Sequence, residues 1–272
     1  MTNEASPSQP VLAMRDVSKV YRRRSQRLLG RSSVTTALAE ASVEVFPDET
    51  LAVIGDSGSG KTTLTRILLG LTPPTRGEVM FRGSPLSERA VRTSLRASSG
   101  VIFQNPATSF DPRWTIERSI REPLDLQHPD WEPARKFDAV CAGLRAVDLN
   151  PDVYLDRFPA DLSGGQMQRA AFARAVVNRP AVLLADEPMS AIDMPTRLMV
   201  IDMLKTLHSG ANSEGHEMAT IIVSHDLGVV QHIADRVLVV HEGRVVESGS
   251  TAQILAHPGC DYTKHLIAAA SL

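Results

Sequence analysis

Cysteine is scarce, aromatic residues make up only 4% of the chain, neither charge sign is in excess, and no long apolar run occurs. Two cysteines, Cys141 and Cys260, can build neither a disulfide framework nor a four-ligand zinc site. They read as reduced thiols of a cytoplasmic protein. Lys and Arg number 29 against 31 Asp and Glu, a formal net charge of −2. The basic excess of a nucleic-acid coat is missing, which disfavours nucleic acid as the main partner. No stretch reaches the roughly 18 apolar residues of a membrane helix. The most apolar candidate, 170–177, is interrupted by Arg174. The opening MTNEASPSQP is polar, and Arg22, Arg23 and Arg24 are followed only by Leu28-Leu29, so no signal-peptide core is expected.

What is present is an ordinary globular composition, 43% hydrophobic and 22% charged over 272 residues. At about 150 residues per domain this gives one large domain or two small ones, long enough to bury a core without staples. VLAMRDV (11–17) alternates as a strand does, and the arginine-rich stretch 22–31 reads as a solvated loop. TLAVIG (50–55) is a short continuous apolar run of the buried parallel type, followed by a glycine-rich turn. TLTRILLG (63–70) then reads as a helix stopped by Gly70 and Pro73-Pro74. Further buried strands are expected at 101–103, 181–185 and 220–224. Helices are expected at 166–178 and 196–208, the latter on Leu198, Val200, Ile201, Leu204 and Leu207. RVLVVHEGRVVES (236–248) predicts a hairpin turning at Glu242-Gly243. Between about 105 and 160 strand signals vanish and helix-like sequence takes over, a helical insertion in an α/β core.

Three motifs carry chemistry. GDSGSGKT (55–62) matches G-x-x-x-x-G-K-[ST] between a strand and a helix. Gly55, Asp56, Ser57, Gly58, Ser59 and Gly60 turn backbone N–H groups toward an anion, and Lys61 neutralises β/γ-phosphates. The Thr62 hydroxyl can ligate Mg²⁺, and Thr63 continues the helix whose positive N-terminus faces the phosphates. Only five lysines occur in the chain, and one sits where this cradle needs it. AVLLADE (181–187) is a buried strand ending in two carboxylates. Asp186 suits a hard cation, and Glu187 suits proton abstraction from an attacking water. In LSGGQ (162–166), Ser163 is a good N-cap, Gly164 and Gly165 let an anion approach, and Gln166 is expected to open a helix. That is a second phosphate-binding terminus without a lysine of its own. One nucleotide cannot easily occupy both loops of one chain, so a site shared between two chains is the natural resolution.

In this order, over about residues 11–265, the motifs resemble the nucleotide-binding subunits of ABC transporters. The resemblance implies an α/β P-loop NTPase core with an antiparallel β subdomain and a helical insertion. The cassette would run from 11 to 250, with the helical subdomain at about 105–175. On this likeness 55–62 is the Walker A loop, 181–187 the Walker B strand and 162–166 the signature. Gln104 is similar to the Q-loop glutamine that reaches toward Mg²⁺ and the membrane partner. His225 is similar to the switch histidine at the γ-phosphate, Tyr21 to the aromatic that stacks on adenine, and Ala191-Ile192-Asp193 to the D-loop. ATP and Mg²⁺ are the implied cofactors. Implied partners are a second cassette, identical or paralogous, two integral membrane permeases and, indirectly, a solute-binding protein, at the cytoplasmic face of the membrane.

Residues 103–124 further resemble the segment after the Q-loop in the oligopeptide, dipeptide and nickel importers. HPGCDYTKHLIAA (257–269) is similar to their C-terminal "HP…YT…L" element, here within 251–272. Rival classes fit less well. A DNA-repair or chromosome ATPase would need a coiled-coil or zinc insertion, and a translation-associated protein typically has two cassettes per chain. A P-loop kinase or GTPase leaves LSGGQ unexplained, and a non-catalytic subunit would normally lack Glu187 or His225.

Overall fold

The computed structural model describes residues 9–23, 33–189, 194–213 and 217–270. The elements are β1 (Leu12–Arg23), β2 (Ser33–Val45), β3 (Thr50–Ile54), α1 (Lys61–Leu68), β4 (Arg76–Phe81), β5 (Ser84–Pro85) and α2 (Arg89–Ala97). Then come β6 (Ser99–Ile102), α3 (Ile116–Gln127), α4 (Pro133–Ala146), α5 (Pro151–Tyr154), α6 (Gly164–Val176), β7 (Val182–Asp186), α7 (Met194–Ser213) and β8 (Ala219–Val223). Last are α8 (Leu227–Ile233), β9 (Arg236–His241), β10 (Arg244–Ser250), α9 (Thr251–Ala256) and α10 (Asp261–Ala270). They form two compact units, one built from the chain up to Arg96 and from His225 onward, the other from Ala97–Ser224.

In the first unit β2, β1, β4 and β5 form an antiparallel sheet in that order. Along β2, Ala41, Val43 and Val45 turn into the core while Ser42 and Glu44 face outward, the period-2 alternation of a half-buried strand. β3 runs parallel to β9, with Leu51 opposite Arg236 and Ile54 opposite Val239. All five residues of β3 are buried, as the continuous apolar run predicts. β9 returns antiparallel as β10 through Glu242 (φ 46°) and Gly243 (φ 76°). Positive φ at both central residues is the I′ turn that matches strand twist, so the expected hairpin forms where the sequence places it. α1 ends on Gly70 in the left-handed region, φ 64°.

In the second unit β6, β7 and β8 are parallel neighbours, and α3, α4 and α6 pack on Ile120, Leu124, Val140, Leu144, Ala170 and Phe172. Arg174, which breaks the apolar run of α6, has a structural task. Pro123 inside α3 has no N–H to offer the Ser119 carbonyl four residues earlier. Arg174 Nε donates to that carbonyl at 3.0 Å and its Nη2 pairs with Glu122 at 2.7 Å. The backbone acceptor that proline strands is thereby satisfied.

Two expectations are corrected. α6 begins at Gly164, not Gln166, because Ser163 and Gln166 form a capping box that places both glycines in the first turn. Leu198 of α7 is exposed, whereas Val200, Ile201 and Leu204 are buried. The residue patterns place no strand at β2, β4 or β5 and no helix at α2, although β2, β1, β4 and β5 form the antiparallel sheet that the family resemblance implies. Most of the arginine-rich loop and all of Ala191-Ile192-Asp193 lie outside the described residues.

Gly100 of β6 gives a stability test, since a Cβ there would lie 2.2 Å from the Ala175 carbonyl oxygen. Gly100→Ala is expected to destabilise the chain by about 1–3 kcal/mol through overpacking. A reduced urea midpoint at unchanged slope would report it, and an unchanged midpoint would refute it.

Candidate functional site

In the first unit the anion cradle grows out of β3. A Cβ at Gly55 (φ 145°) would lie 2.1 Å from the Val240 carbonyl oxygen, and one at Gly60 (φ 111°) 2.7 Å from that of Ala37. Only glycine fits these two places. A Cβ at Gly58 would meet nothing within 4 Å, so this part of the loop is open to an approaching group. Lys61 is 6% exposed, and its Nζ donates to the carbonyls of Gly55 at 2.7 Å and Asp56 at 2.8 Å. The lysine therefore closes the loop on itself as well as bringing charge to it. Ser59 Oγ is buried with no hydrogen-bond partner. Gly60 caps α1 without a side-chain hydrogen bond, and the first turn of α1 carries no acidic residue. The positive end of the helix dipole thus meets the loop uncompensated by side-chain charge. Thr62 is exposed and Thr63 half-buried on the first turn.

Tyr21 stands on β1 opposite Thr35 of β2, 45% exposed, with Lys19 Nζ 5.2 Å from its ring centroid. The ring offers a surface to a planar ligand. His225 is exposed, next to Asp226, whose carboxylate caps α8 by accepting from Val229 N at 3.2 Å.

In the second unit β7 delivers Asp186 and Glu187, both half-buried. Glu187 sits at φ 46°, a left-handed conformation that glutamate rarely adopts, and its N–H donates to the Val223 carbonyl of β8 at 3.0 Å. Gln104 Nε2 donates to Glu187 Oε2 at 2.9 Å. The structure thus joins two of the sequence-predicted catalytic residues directly.

LSGGQ opens α6. Ser163 Oγ accepts from Gln166 N at 3.3 Å while Gln166 Oε1 accepts from Ser163 N at 2.9 Å. Gln166 Nε2 donates to Tyr154 Oη at 2.9 Å, a support that sequence reading missed and that no local spacing signals. The capping side chains therefore hold the helix start, and the glycines lie beside them. Ser163 and Gly164 are exposed, Gly165 half-buried, and a Cβ at Gly164 would meet nothing within 4 Å. This exposed, cap-stabilised terminus can receive an anion from outside the chain.

The sequence profile of the ABC transporter family matches residues 38–190. The chain belongs to that family. It is similar to the dipeptide transport ATP-binding protein DppF of Haemophilus influenzae, 36% identical over 99% of this chain and 80% of that protein. The nickel import ATP-binding protein NikE of Rhodospirillum rubrum is 40% identical, covering 92% of this chain and 88% of the relative. The putrescine export system ATP-binding protein SapF of Escherichia coli is 37% identical over 95% and 92%. Among solved structures, the dimeric post-hydrolysis state of the ATP-binding cassette MJ0796 bound to ADP and Pi matches with TM-score 0.75. It is 26% identical and covers 88% of this chain and 98% of that one. This ABC protein is accordingly an ATP hydrolase with the P-loop cassette fold. No described helix is long and apolar enough to cross a membrane.

Proposed function

We propose that this ABC ATPase energises import of a small solute, peptide or nickel/metallophore, through two separate membrane permeases. The observation that carries the reading is the pairing, in one chain, of a phosphate loop with an exposed signature terminus, in a protein similar to dipeptide and nickel import subunits. Lys61 and the loop amides take the β/γ-phosphates, Tyr21 the adenine, and Glu187 the proton of the attacking water. His225 contacts the γ-phosphate. Ser163, Gly164, Gly165 and Gln166 close on the nucleotide of a second cassette, so ATP affinity for the closed pair drives association.

Mg²⁺ fits the oxygen donors Thr62, Asp186 and Gln104. Among the described residues no group of three His, Cys, Asp or Glu could hold a metal by itself. Such an ion would arrive with the nucleotide and keep phosphate and water ligands. When bound, the ion would polarise the phosphate oxygens. Gln104, while it donates one amide hydrogen to Glu187, retains its carbonyl oxygen for such a cation.

In this reading residues 11–250 form the cassette, about 105–175 its helical subdomain toward the permeases, and 251–272 a C-terminal element. The chain would sit peripherally at the cytoplasmic face, a solute-binding protein would serve it from the far side, and no nucleic acid is involved.

Uptake of labelled dipeptide and of labelled nickel by cells carrying the native chain or Lys61→Ala tests the assignment. Loss of one uptake in the variant is expected. The similarity to a putrescine export subunit favours one second reading, which retained putrescine with both uptakes unchanged would establish instead.

Tyr21→Ala is expected to weaken ATP about fivefold, the low end of base–aromatic stacking for a half-exposed ring. Discrimination among bases should stay poor because every base has a π-face. An unchanged ATP dissociation constant in calorimetry would make Tyr21 a surface residue only.

A further inference from the structure

Asp56 of the phosphate loop is gripped by the side chain of a residue 206 positions downstream. Its backbone N–H donates to Tyr262 Oη at 2.9 Å, and the Tyr262 hydroxyl donates to Asp56 Oδ2 at 2.8 Å. Backbone and side chain of one loop residue are thus held by a single phenol.

The phenol is itself fixed. Its ring stacks on His241 with centroids 3.7 Å apart and planes 27° from parallel. With Leu266, also on α10, it packs against the buried cluster of Ala52, Ile54, Val230, Val237, Val239 and Ile254. The turn into α10 is tied to β10, where the Glu247 carboxylate accepts from the amides of Gly259 at 2.7 Å and Cys260 at 3.2 Å. Burial pushes the Tyr262 hydroxyl above its ordinary value, further from ionisation. On the carbonyl side of the same residue, Asp56 O accepts from Lys61 Nζ at 2.8 Å and from Ser59 N at 3.1 Å. The lysine is thus held by a carbonyl whose own residue is anchored to α10.

We propose that Tyr262 is a positioning residue of the ATPase, setting the orientation of Asp56 and through it the reach of Lys61 toward the β/γ-phosphates. The proposal rests on residues 55–62 being the phosphate loop. Its mechanism is preorganisation. A loop already held in its binding shape loses less freedom when ATP arrives, so the effect belongs to affinity rather than to the chemical step.

The test uses the whole chain. Tyr262→Phe keeps the ring, its stack on His241 and its packing, and removes only the hydroxyl. The ATP dissociation constant and KM are expected to rise about fivefold, the low end for two net hydrogen bonds, with kcat within about twofold of wild type. Asp56→Ala approaches the same contact from an exposed side chain that does not threaten the fold, and should raise the dissociation constant similarly. In that background Tyr262→Phe should add less than it does alone, because the carboxylate bond is already gone. Wild-type ATP affinity in Tyr262→Phe, or a lowered melting temperature with KM unchanged, would reduce Tyr262 to a packing residue and overturn the proposal. Lys61→Ala, measured alongside, separates the two levels. Wild-type affinity there would overturn the phosphate-loop reading itself, whereas lost affinity there with none lost in Tyr262→Phe would overturn only the role of Tyr262.

Discussion

Glu187→Gln is expected to convert a transient encounter of cassettes into a stable, ATP-dependent dimer. Glutamine keeps the size of the side chain but cannot accept the proton of the attacking water, and general-base catalysis is worth about 10²–10⁴-fold. Turnover should fall by that factor while ATP binding persists. The bound nucleotide then survives long enough for the exposed LSGGQ terminus of one cassette to stay closed on the phosphate held by another. Light scattering should show twice the monomer mass with ATP and the monomer mass without it, with a paralogous cassette supplied if the pair is mixed. Adding Ser163→Arg should abolish the dimer, because a long side chain at an exposed helix start obstructs the opposing phosphate. Loss of the cap costs only about 1 kcal/mol, so the chain stays folded. ATP binding by the monomer should survive. Equal association of Glu187→Gln with and without ATP would reject the shared site.

Lys61→Ala should cost ATP binding more than about 100-fold. The ammonium brings charge-assisted hydrogen bonds to the phosphates, worth about 1.5–3 kcal/mol each, and also ties together the Gly55 and Asp56 carbonyls. Both contributions vanish together in alanine, the second by loosening the empty loop. Global stability should move little, because the two carbonyls that the Lys61 ammonium holds belong to the loop itself. Isothermal calorimetry with ATP and a thermal melt decide the matter. Near-native affinity would sink the phosphate-loop assignment, and a collapsed melting temperature would mean that the lysine is structural.

The parts of the fold that the sequence made legible are those set by local rules. β3, β7 and β8 announce themselves as unbroken apolar runs, and the Glu242-Gly243 turn by residues that tolerate positive φ. β1 was readable only over its first half. Beyond Met14 its pairing with β2 shifts register three times, which scrambles the period-2 pattern that identifies a strand. α2 buries only Leu95 and so has no apolar stripe to recognise.

The site divides the same way. The glycine spacing of the phosphate loop and the serine-to-glutamine spacing of the capping box are short-range, and both are written in the chain. The hydrogen bond from Gln104 to Glu187 joins residues 83 apart, and that from Tyr262 to Asp56 residues 206 apart. No rule of spacing reaches so far. The type of side chain could be read, but its partner depended on the whole fold.

The first unit is discontinuous in sequence, and that has a consequence in time. β3 is made early, but its parallel partner β9 and the tyrosine that grips Asp56 follow only after the whole second unit. With translation at about 5–20 residues per second, the 206 residues between Asp56 and Tyr262 take roughly 10–40 s to appear. For most of that interval the nascent chain carries TLAVI, an apolar strand still waiting for β9. Such a segment is prone to wrong pairing and is the kind of surface that chaperones cover. The phosphate loop is among the first parts of this protein to be synthesised and among the last to be finished.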